Sequence, residues 1–565
     1  STIYPSHMNL KQNIFTSKKS LLLIIISAAL LGIAASTGSL YFKHAKNLDI
    51  YASVLKEVNT YYVDDISPTK LVRKSIEGMC KSLDPYTVLL SENDITDYRL
   101  NNADKHGSIG ISVCNWNDSI TIEMVNFNSA AYKSGLRNGD IILAIGGENV
   151  VHKSTSEINK SLTGSPGTAV NISFLQNNTH TIITKNIIRE DEETKLVPYY
   201  GLIDDETGYI KFTSFMENGC KEITDAIDSL KLQSKKGLKN IVLDVRGNGG
   251  GLLHEAVNIV NLFVPKGTLI VNTKGRLLSI QRTYITKNEV KDNQIKLAIL
   301  TNHNSASASE IVSGSIQDLD RGIIIGQKTY GKGLVQDVKK ISYGNQFKVT
   351  ISKYFIPSGR CIQALDYTNK NKDGSVNKVA DSTKHLFSTK NGRKVSDGGG
   401  IEPDIKTEES EIAMITKTLK QQNLFFGFAI QYFKQHSSIN SAKEFSVTEQ
   451  DYKNFIIYLS TKKYNYTTSS AKKIIELKKS LEKENYQTIA AKELTALETK
   501  LQQSELADLQ KHKSEIIIEL NKTIVGFYYQ QKGQTENSFA TDNELKEAIL
   551  ILHDDAKYKQ ILAIK

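Results

Sequence analysis

Short unbroken apolar runs alternate, through the middle of the chain, with stretches whose apolar residues recur every three or four positions. The runs are Ile241-Val242-Leu243, Leu297-Ala298-Ile299-Leu300 and Ile323-Ile324-Ile325. The stripes are Ile223, Ile227 and Leu230, then Leu252, Leu253, Ala256, Val257 and Val260, then Ile311, Val312, Ile316 and Leu319. Runs of that length predict buried strands and stripes of that period predict helices. With Gly208 to Phe212 as an opening strand, the alternation predicts a layered α/β sheet over residues 191–406.

The flanks have other patterns. Residues 45–102 carry Val54, Leu55, Val58, Leu71, Ile76 and Met79 at helical spacing and predict a helical arm. Residues 103–190 hold short strand patterns, the fragment Gly107-Ser108-Ile109-Gly110-Ile111 and the segment SAAYKSGLRNGDIILAIGGENV, which predict a small β module. Beyond Asp404 the chain turns to Lys, Glu, Gln and Leu, with Leu494, Leu497 and Leu501 on one stripe and no glycine from 438 to 525. Residues 407–565 therefore read as a helical C-terminal domain, suited to packing, to a homodimer contact or to an adaptor.

At the other end, residues 20–42 form an uncharged run of 23 residues preceded by Lys11, Lys18 and Lys19. That length spans a bilayer, and the lysines favour a cytoplasmic 1–19, so an N-terminal transmembrane anchor is expected, with the rest exported. Ala34-Ala35-Ser36 leaves a cleaved signal segment as the alternative. Met8 reads as a natural start, with 1–7 as added sequence.

Charge narrows the partners. The net charge of +10 arises from 71 basic and 61 acidic residues, with lysine scattered along the chain, so no nucleic-acid arm is expected. The four cysteines, at 80, 114, 220 and 361, have neither disulfide nor metal spacing, and neither a metal nor another cofactor is expected.

Candidate chemistry gathers around two turns. Ser307 ends the Leu297–Leu300 strand pattern and opens a helix, and with Glu310 it forms S-x-x-E, a capping box that is an ordinary structural reading by itself. Lys332, 25 residues on, sits between Gly331 and Gly333, with Gln336 four residues further. A serine hydroxyl is a weak nucleophile until a base takes its proton, and a lysine serves when burial favours its neutral form. Gln336 can hold such an amine without adding charge. An oxyanion needs preorganised donors, and the Ala308 amide at a helix N-terminus is one candidate. The loop Asp244-Val245-Arg246-Gly247-Asn248-Gly249-Gly250-Gly251 offers others. A second enzyme class also reads Gly326-x-x-x-x-Gly331-Lys332, as a phosphate loop of an NTPase, but Gly333 stands where the magnesium-binding Ser or Thr belongs.

Taken together, DVRGNGGG, SASASEI, IGQKTYGKGLVQ and KYFIPSGRCIQ, with SLDPYT at 82–87 and GIEPDI at 400–405, resemble the tail-specific, C-terminal processing serine peptidases over roughly residues 50–406. The resemblance implies a crotonase-like α/β peptidase core with an inserted PDZ domain. It implies a Ser–Lys endopeptidase with Ser307 as nucleophile, Lys332 as base and Gln336 orienting the lysine. The oxyanion hole falls to the amides of Ala308 and Gly250, with Gly251 as the neighbour, while Ser305 and Ser309 are decoys. Similarity of 103–190 to PDZ domains implies capture of protein C-terminal tails as an added strand at Ser108, Ile109, Gly110 and Ile111. Relatives often carry an arginine just before the Gly-x-x-Gly-Thr turn, linking PDZ position to the catalytic lysine, where this chain has Thr163. The expected location is the inner membrane with a periplasmic catalytic part, or the periplasm or exterior after cleavage. The non-enzymatic alternative is a PDZ scaffold on an inactive protease fold.

Overall fold

The structure, a computed structural model, describes residues 42–91, 94, 105–193, 195–371, 373–409, 411–462, 464, 466, 469–502 and 504–564. The expected membrane segment 20–42 thus lies outside the described residues, Phe42 apart, together with 1–19. Among the described residues no helix is long and apolar enough to cross a membrane. The chain divides into two compact units, residues 1–82 and 83–565. In the first, α1 (42–61) and α2 (Pro68–Leu83) are tied by a hydrogen bond between the Tyr51 and Ser75 hydroxyls. Pro68 opens α2 at a position whose N–H has no helical partner to lose.

The second unit departs at once from the helical arm expected over 45–102. After α2 the chain turns at Asp84, whose carboxylate accepts from the Tyr86 and Thr87 amides at 2.8 Å each, and continues as strand β1 (Val88–Leu90). The apolar run Val88-Leu89-Leu90 explains the change, since it suits a sheet edge better than a polar helix face.

Residues 105–193 form the small β module: β2 (Lys105–Ser108), β3 (Ile111–Trp116), β4 (Ser119–Val125), α3 (Ala130–Lys133), β5 (Ile141–Ile145), β6 (Glu148–Asn149), α4 (Thr155–Leu162), β7 (Ala169–Leu175), β8 (Ile182–Ile188) and β9 (Glu190–Glu193). The main sheet runs β3-β4-β5-β7-β8, with β6 on β5, while β2 pairs with β9. Ile122, Leu136, Ile158, Ile172 and Phe174 fill its core. Among the described residues, strand β3 lies at the end of the sheet and pairs with β4 alone.

The larger α/β body follows as β10 (Tyr199–Leu202), β11 (Thr207–Lys211), α5 (Gly219–Gln233), β12 (Asn240–Asp244), α6 (Leu253–Asn261), β13 (Leu269–Gly275), β14 (Arg282–Ile285), β15 (Lys296–Thr301), α7 (Ala308–Asp318), β16 (Ile323–Gly326), β17 (Leu334–Lys340), β18 (Gln346–Phe355) and a late strand β19 (Ile405–Lys406). Its central sheet is ordered β10-β11-β12-β15-β16-β19, parallel from β11 onward. The continuous apolar runs are buried here because both faces of a parallel sheet are covered. Helices α5, α6 and α7 cover one face through Ile223, Ile227, Val260, Ile311 and Ile316. A second sheet, β1-β18-β13-β14 with β17 also on β18, stands beside it.

The C-terminal region comprises α8 (Met414–Gln421), α9 (Leu424–Gln435), α10 (Glu449–Ser460), α11 (Ser469–Lys483), α12 (Gln487–Gln502), α13 (Ser504–Lys511), α14 (Lys513–Ser538), α15 (Asn543–His553) and α16 (Asp555–Ile561). Its helices have two jobs. Phe425, Phe428, Phe455 and Ile524 build a helical core of their own. Leu545, Ala548, Ile551 and Leu552 of α15 instead pack on Val242, Ala298, Leu300 and Ile325, the second face of the central sheet.

The helical core also seats the β module. Cys114 is buried within it, and Trp116 meets the Phe426 ring edge-on at 6.3 Å between centroids. Asn423 Nδ2 donates to the Asn115 carbonyl at 2.8 Å, and Gln530 Nε2 to the Val125 carbonyl at 2.6 Å. Gly427 makes this seat: a Cβ there would lie 2.6 Å from Trp116 Nε1 and 2.2 Å from the Tyr458 hydroxyl. We predict that Gly427→Ala destabilises the protein by ~1–3 kcal/mol through overpacking and shifts the fluorescence of Trp116, the one tryptophan, to longer wavelength before global unfolding in urea. An unchanged spectrum and midpoint would argue against this seat.

Candidate active site

Ser307 stands where β15 gives way to α7, and its backbone carries φ 57°, ψ −112°, a left-handed conformation costly for any residue with a Cβ. Strain of this kind persists only where the surroundings over-determine it. They do so through Glu310, wholly buried one turn along. Its Oε2 accepts the Ser307 amide at 2.8 Å and the Lys332 amide at 2.8 Å; its Oε1 accepts the Gly331 amide at 2.7 Å and the Thr329 hydroxyl at 2.6 Å. One carboxylate therefore joins the serine turn to the glycine-framed lysine loop. Burial pushes the Glu310 carboxyl above its usual range, and these four donors oppose the shift.

A second link crosses the same gap. The hydroxyl of Tyr354, on β18, lies 2.7 Å from the Lys332 carbonyl and 3.2 Å from the Ser307 carbonyl. Behind the lysine loop, Gln363 Oε1 accepts the Gly333 amide at 2.7 Å and the Ala364 amide donates to the Gly331 carbonyl at 2.9 Å. A Cβ at Gly331, where φ is +88°, would meet Ala364 Cβ at 2.3 Å, so the glycine frame is needed for this approach. Arg360 pins the far end of α7 by a buried pair with Asp318 at 2.7 Å. The KYFIPSGRCIQ segment thus braces both candidate residues.

Lys332 is half-buried, and its Nζ lies over the Tyr86 ring, 4.5 Å from the centroid. Burial lowers its pKa from the ordinary lysine value and Lys348 adds to the effect, while Glu310 and Asp84 oppose it. Gln336 does not reach for the ammonium here: its Nε2 donates to Thr350 Oγ1 at 3.2 Å, across a register shift between β17 and β18. Loop chemistry also corrects the phosphate-loop reading. Lys332 leads into strand β17, so no helix N-terminus follows to receive a phosphate.

The flanking serines have structural partners. Ser305 Oγ donates to the Val245 carbonyl and Ser309 Oγ to the Asn248 carbonyl, each at 2.8 Å and each fully buried, whereas Ser307 is half-exposed. Those two bonds hold the glycine-rich loop against the serine turn. Gly250, with φ +100°, approaches so closely that a Cβ would stand 2.8 Å from Ser307 Cβ and 2.9 Å from the Ala308 nitrogen. Both expected oxyanion donors therefore border Ser307. The Ala308 amide opens α7, while the Gly250 amide donates to Asn248 Oδ1 at 2.9 Å. At Gly251 a Cβ would fall 2.3 Å from the Phe215 carbonyl, so its glycine serves the packing of the loop on that segment.

Sequence reading missed the anchor of this loop. Arg246 pairs with Asp244 at 2.7 Å and, from the start of α15, with Asp542 at 2.6 Å and Glu544 at 3.3 Å. Glu544 also accepts from Gln327 Nε2 at 2.7 Å, so one helix end holds the first residues of both active-site loops. Asp542 is 296 positions from Arg246, and no local signal connects them.

In the β module, Ser108 Oγ accepts the Gly110 amide at 2.8 Å and the Ile109 carbonyl accepts the Ala131 amide at 3.0 Å. Ile109 is buried in the module core, while Ile111 is half-buried at the start of edge strand β3. At Thr163, the C-cap of α4, a different arginine takes the neighbourhood. Arg189 donates to the Leu162 carbonyl at 2.8 Å and the Ser161 carbonyl at 2.9 Å, closing the end of that helix. Elsewhere, Glu217, His254 and Glu255 bring ligand atoms within 4.8 Å of one another, the first two exposed.

Comparison with known proteins bears on this arrangement. Residues 206–369 match peptidase family S41, residues 107–184 match the PDZ domain, and residues 415–552 match the family described as probable PDZ-protease, C-terminal helical domain. The carboxy-terminal-processing protease of Bartonella bacilliformis is 30% identical over 348 residues, 61% of this chain and 79% of that protein. A probable CtpA-like serine protease of Staphylococcus aureus is 33% identical over 319 residues, 56% of this chain and 62% of that protein. The solved photosystem II D1 C-terminal processing protease has 22% identity and a TM-score of 0.34, covering 63% of this chain and 92% of that one.

Two outcomes are expected from this geometry. Ser307→Gly is more stable than Ser307→Ala by ~1 kcal/mol in urea unfolding, because glycine relieves the left-handed strain; equal stabilities would contradict it. Glu310→Gln turns an N–H toward donors, loosens both turns and lowers kcat about 10²-fold with KM little changed; a wild-type kcat would show that Glu310 only caps α7.

Proposed function

The chain belongs to peptidase family S41 and is a serine-type peptidase of the carboxy-terminal-processing kind, and from that premise we propose that Ser307 is its nucleophile and Lys332 its general base. The observation that carries this reading is the common tether: Glu310 binds the amides of Ser307 and Lys332, joining the turn of a half-exposed serine to the loop of a lysine whose burial lowers its pKa. In the forward step, neutral Lys332 takes the Ser307 Oγ proton as Oγ attacks the peptide carbonyl. The Ala308 and Gly250 amides stabilise the oxyanion, and Gly250 turns its N–H from Asn248 Oδ1 toward it. Protonated Lys332 then delivers the proton to the leaving amine, and water repeats the sequence on the acyl-enzyme. Gln336 orients the lysine once its amide leaves Thr350, its partner in the free enzyme.

The PDZ domain brings protein substrates in by their free C-terminal tails. Edge strand β3, with one neighbour among the described residues, supports strand addition beginning at Ile111, and the turn Ser108-Ile109-Gly110 faces the tail's carboxylate. The uncharged run 20–42 anchors the enzyme in the inner membrane with the peptidase on the periplasmic side.

The sign of the pH dependence follows from the base. Only neutral Lys332 accepts a proton, so kcat/KM rises with pH through its pKa; because burial lowers that pKa, the rise is centred below the ~10.4 of an ordinary lysine. The test uses the full chain in detergent on a loosely folded protein ending in an apolar tail. Ser307→Ala and Lys332→Ala lower cleavage at least about 10³-fold, and amidating the substrate's C-terminus raises KM. Cleavage retained in either variant would overturn the dyad; tail binding without any wild-type cleavage would favour the scaffold.

A further inference from the structure

The SLDPYT segment has no part in the dyad as described, yet it delivers a side chain to the dyad's lysine. Tyr86 lies with its ring under Lys332 Nζ, 4.5 Å from the centroid. Its position is built. Asp84, 7% exposed, accepts the Tyr86 and Thr87 amides at 2.8 Å each and the Thr87 hydroxyl at 3.1 Å, and the Thr87 hydroxyl accepts the Thr350 amide at 3.3 Å. Strand β1 then zips onto β18 from Val88↔Lys348 to Leu90↔Gln346, the same strand that pairs with β17 below Lys332. The ring is fixed in turn by Tyr367, edge-on at 6.2 Å.

From this geometry, and resting on the reading of Lys332 as the base, we propose that Tyr86 is a positioning residue for Lys332, seating its ammonium by the aromatic face. An ammonium over an aromatic face is attracted by the ring quadrupole, and more strongly where water is excluded. The face, not the hydroxyl, performs the task. The hydroxyl stands near those of Tyr330 and Tyr367 without a well-formed hydrogen bond, and burial raises its pKa well above the phenol range, so it stays protonated. Lys332's other charged neighbours are Glu310 on α7, Lys348 on β18 and Asp84 at the turn. The Glu310 carboxylate is already occupied by backbone amides and a hydroxyl, and Gln336 by Thr350. The seat also has an electrostatic consequence. Attraction to the ring favours the charged form, so it partly offsets the lowering by burial and sets the pH at which the base becomes neutral.

The experiment measures pH profiles of kcat/KM for cleavage of the loosely folded, apolar-tailed protein by the full chain, comparing wild type, Tyr86→Phe, Tyr86→Leu and Lys332→Ala. Tyr86→Phe keeps the face, so its acid limb coincides with wild type and its rate stays within a few-fold. Tyr86→Leu removes the face while keeping bulk: the limb moves to lower pH by about half to one unit, and the plateau falls at least about tenfold from lost positioning. Tyr86→Met serves the same comparison if the leucine variant does not fold. An unmoved limb in the aliphatic variant, or a phenylalanine variant as impaired as the leucine one, overturns the proposal. Wild-type activity in Lys332→Ala would instead overturn the dyad reading on which it rests, so the two failures are distinct.

Discussion

The active-site geometry depends on one buried carboxylate. Glu310 is fully removed from water and would be costly there without partners. Its four donors all come from the two turns that must be brought together, and three of them are main-chain or side-chain groups of the segment Thr329–Lys332. The fourth is the amide of Ser307 itself, so the left-handed backbone of that residue is held by the group that locates the lysine loop. What in sequence is an ordinary capping box becomes, in three dimensions, the tie between the serine turn and the lysine loop. Tyr354 repeats the connection from the other side through the two carbonyls.

The C-terminal helices extend that rigidity outward. Helix α15 covers the second face of the central sheet, and its first turn receives Arg246 from the glycine-rich loop and Gln327 from the lysine loop. Earlier helices of the same region clasp the PDZ domain through Trp116, Asn115 and Val125. The PDZ domain and the serine and lysine loops are thus both held by helices of this C-terminal region. Gln530, which reaches the Val125 carbonyl, sits at a kink in α14 with φ 55°, the one non-helical residue within that helix.

Much of this was legible in the sequence because the deciding features are local. Unbroken runs such as Leu297–Leu300 gave strands of a covered parallel sheet, and the stripe Ile311, Val312, Ile316 gave the helix behind Ser307. Ser307 and Lys332 were singled out by their two turns together with the family resemblance, and the buried bonds of Ser305 and Ser309 explain why neither neighbour is the accessible serine. What escaped was non-local. No pattern in α15 announces that Asp542 will pair with Arg246, and the run Val88–Leu90 gives no sign that its partner is β18. The expectation that Gln336 orients Lys332 came from the family resemblance; a register shift at Val335/Gln336 accompanies the bond that its amide donates to Thr350. Within the helical reading of 45–102, Val88–Leu90 is strand for the same reason, since its partner belongs to a distant sheet.

The most direct test of the central claim is to quench the full chain with acid during turnover of a tailed protein substrate and map the covalent adduct by peptide mass spectrometry. The account predicts an ester of the substrate's N-terminal fragment on Ser307, within the peptide that begins at the β15–α7 turn, and no such adduct in Lys332→Ala. An adduct on Ser305, Ser309 or any other residue, or equal labelling of Ser307 without Lys332, would contradict it.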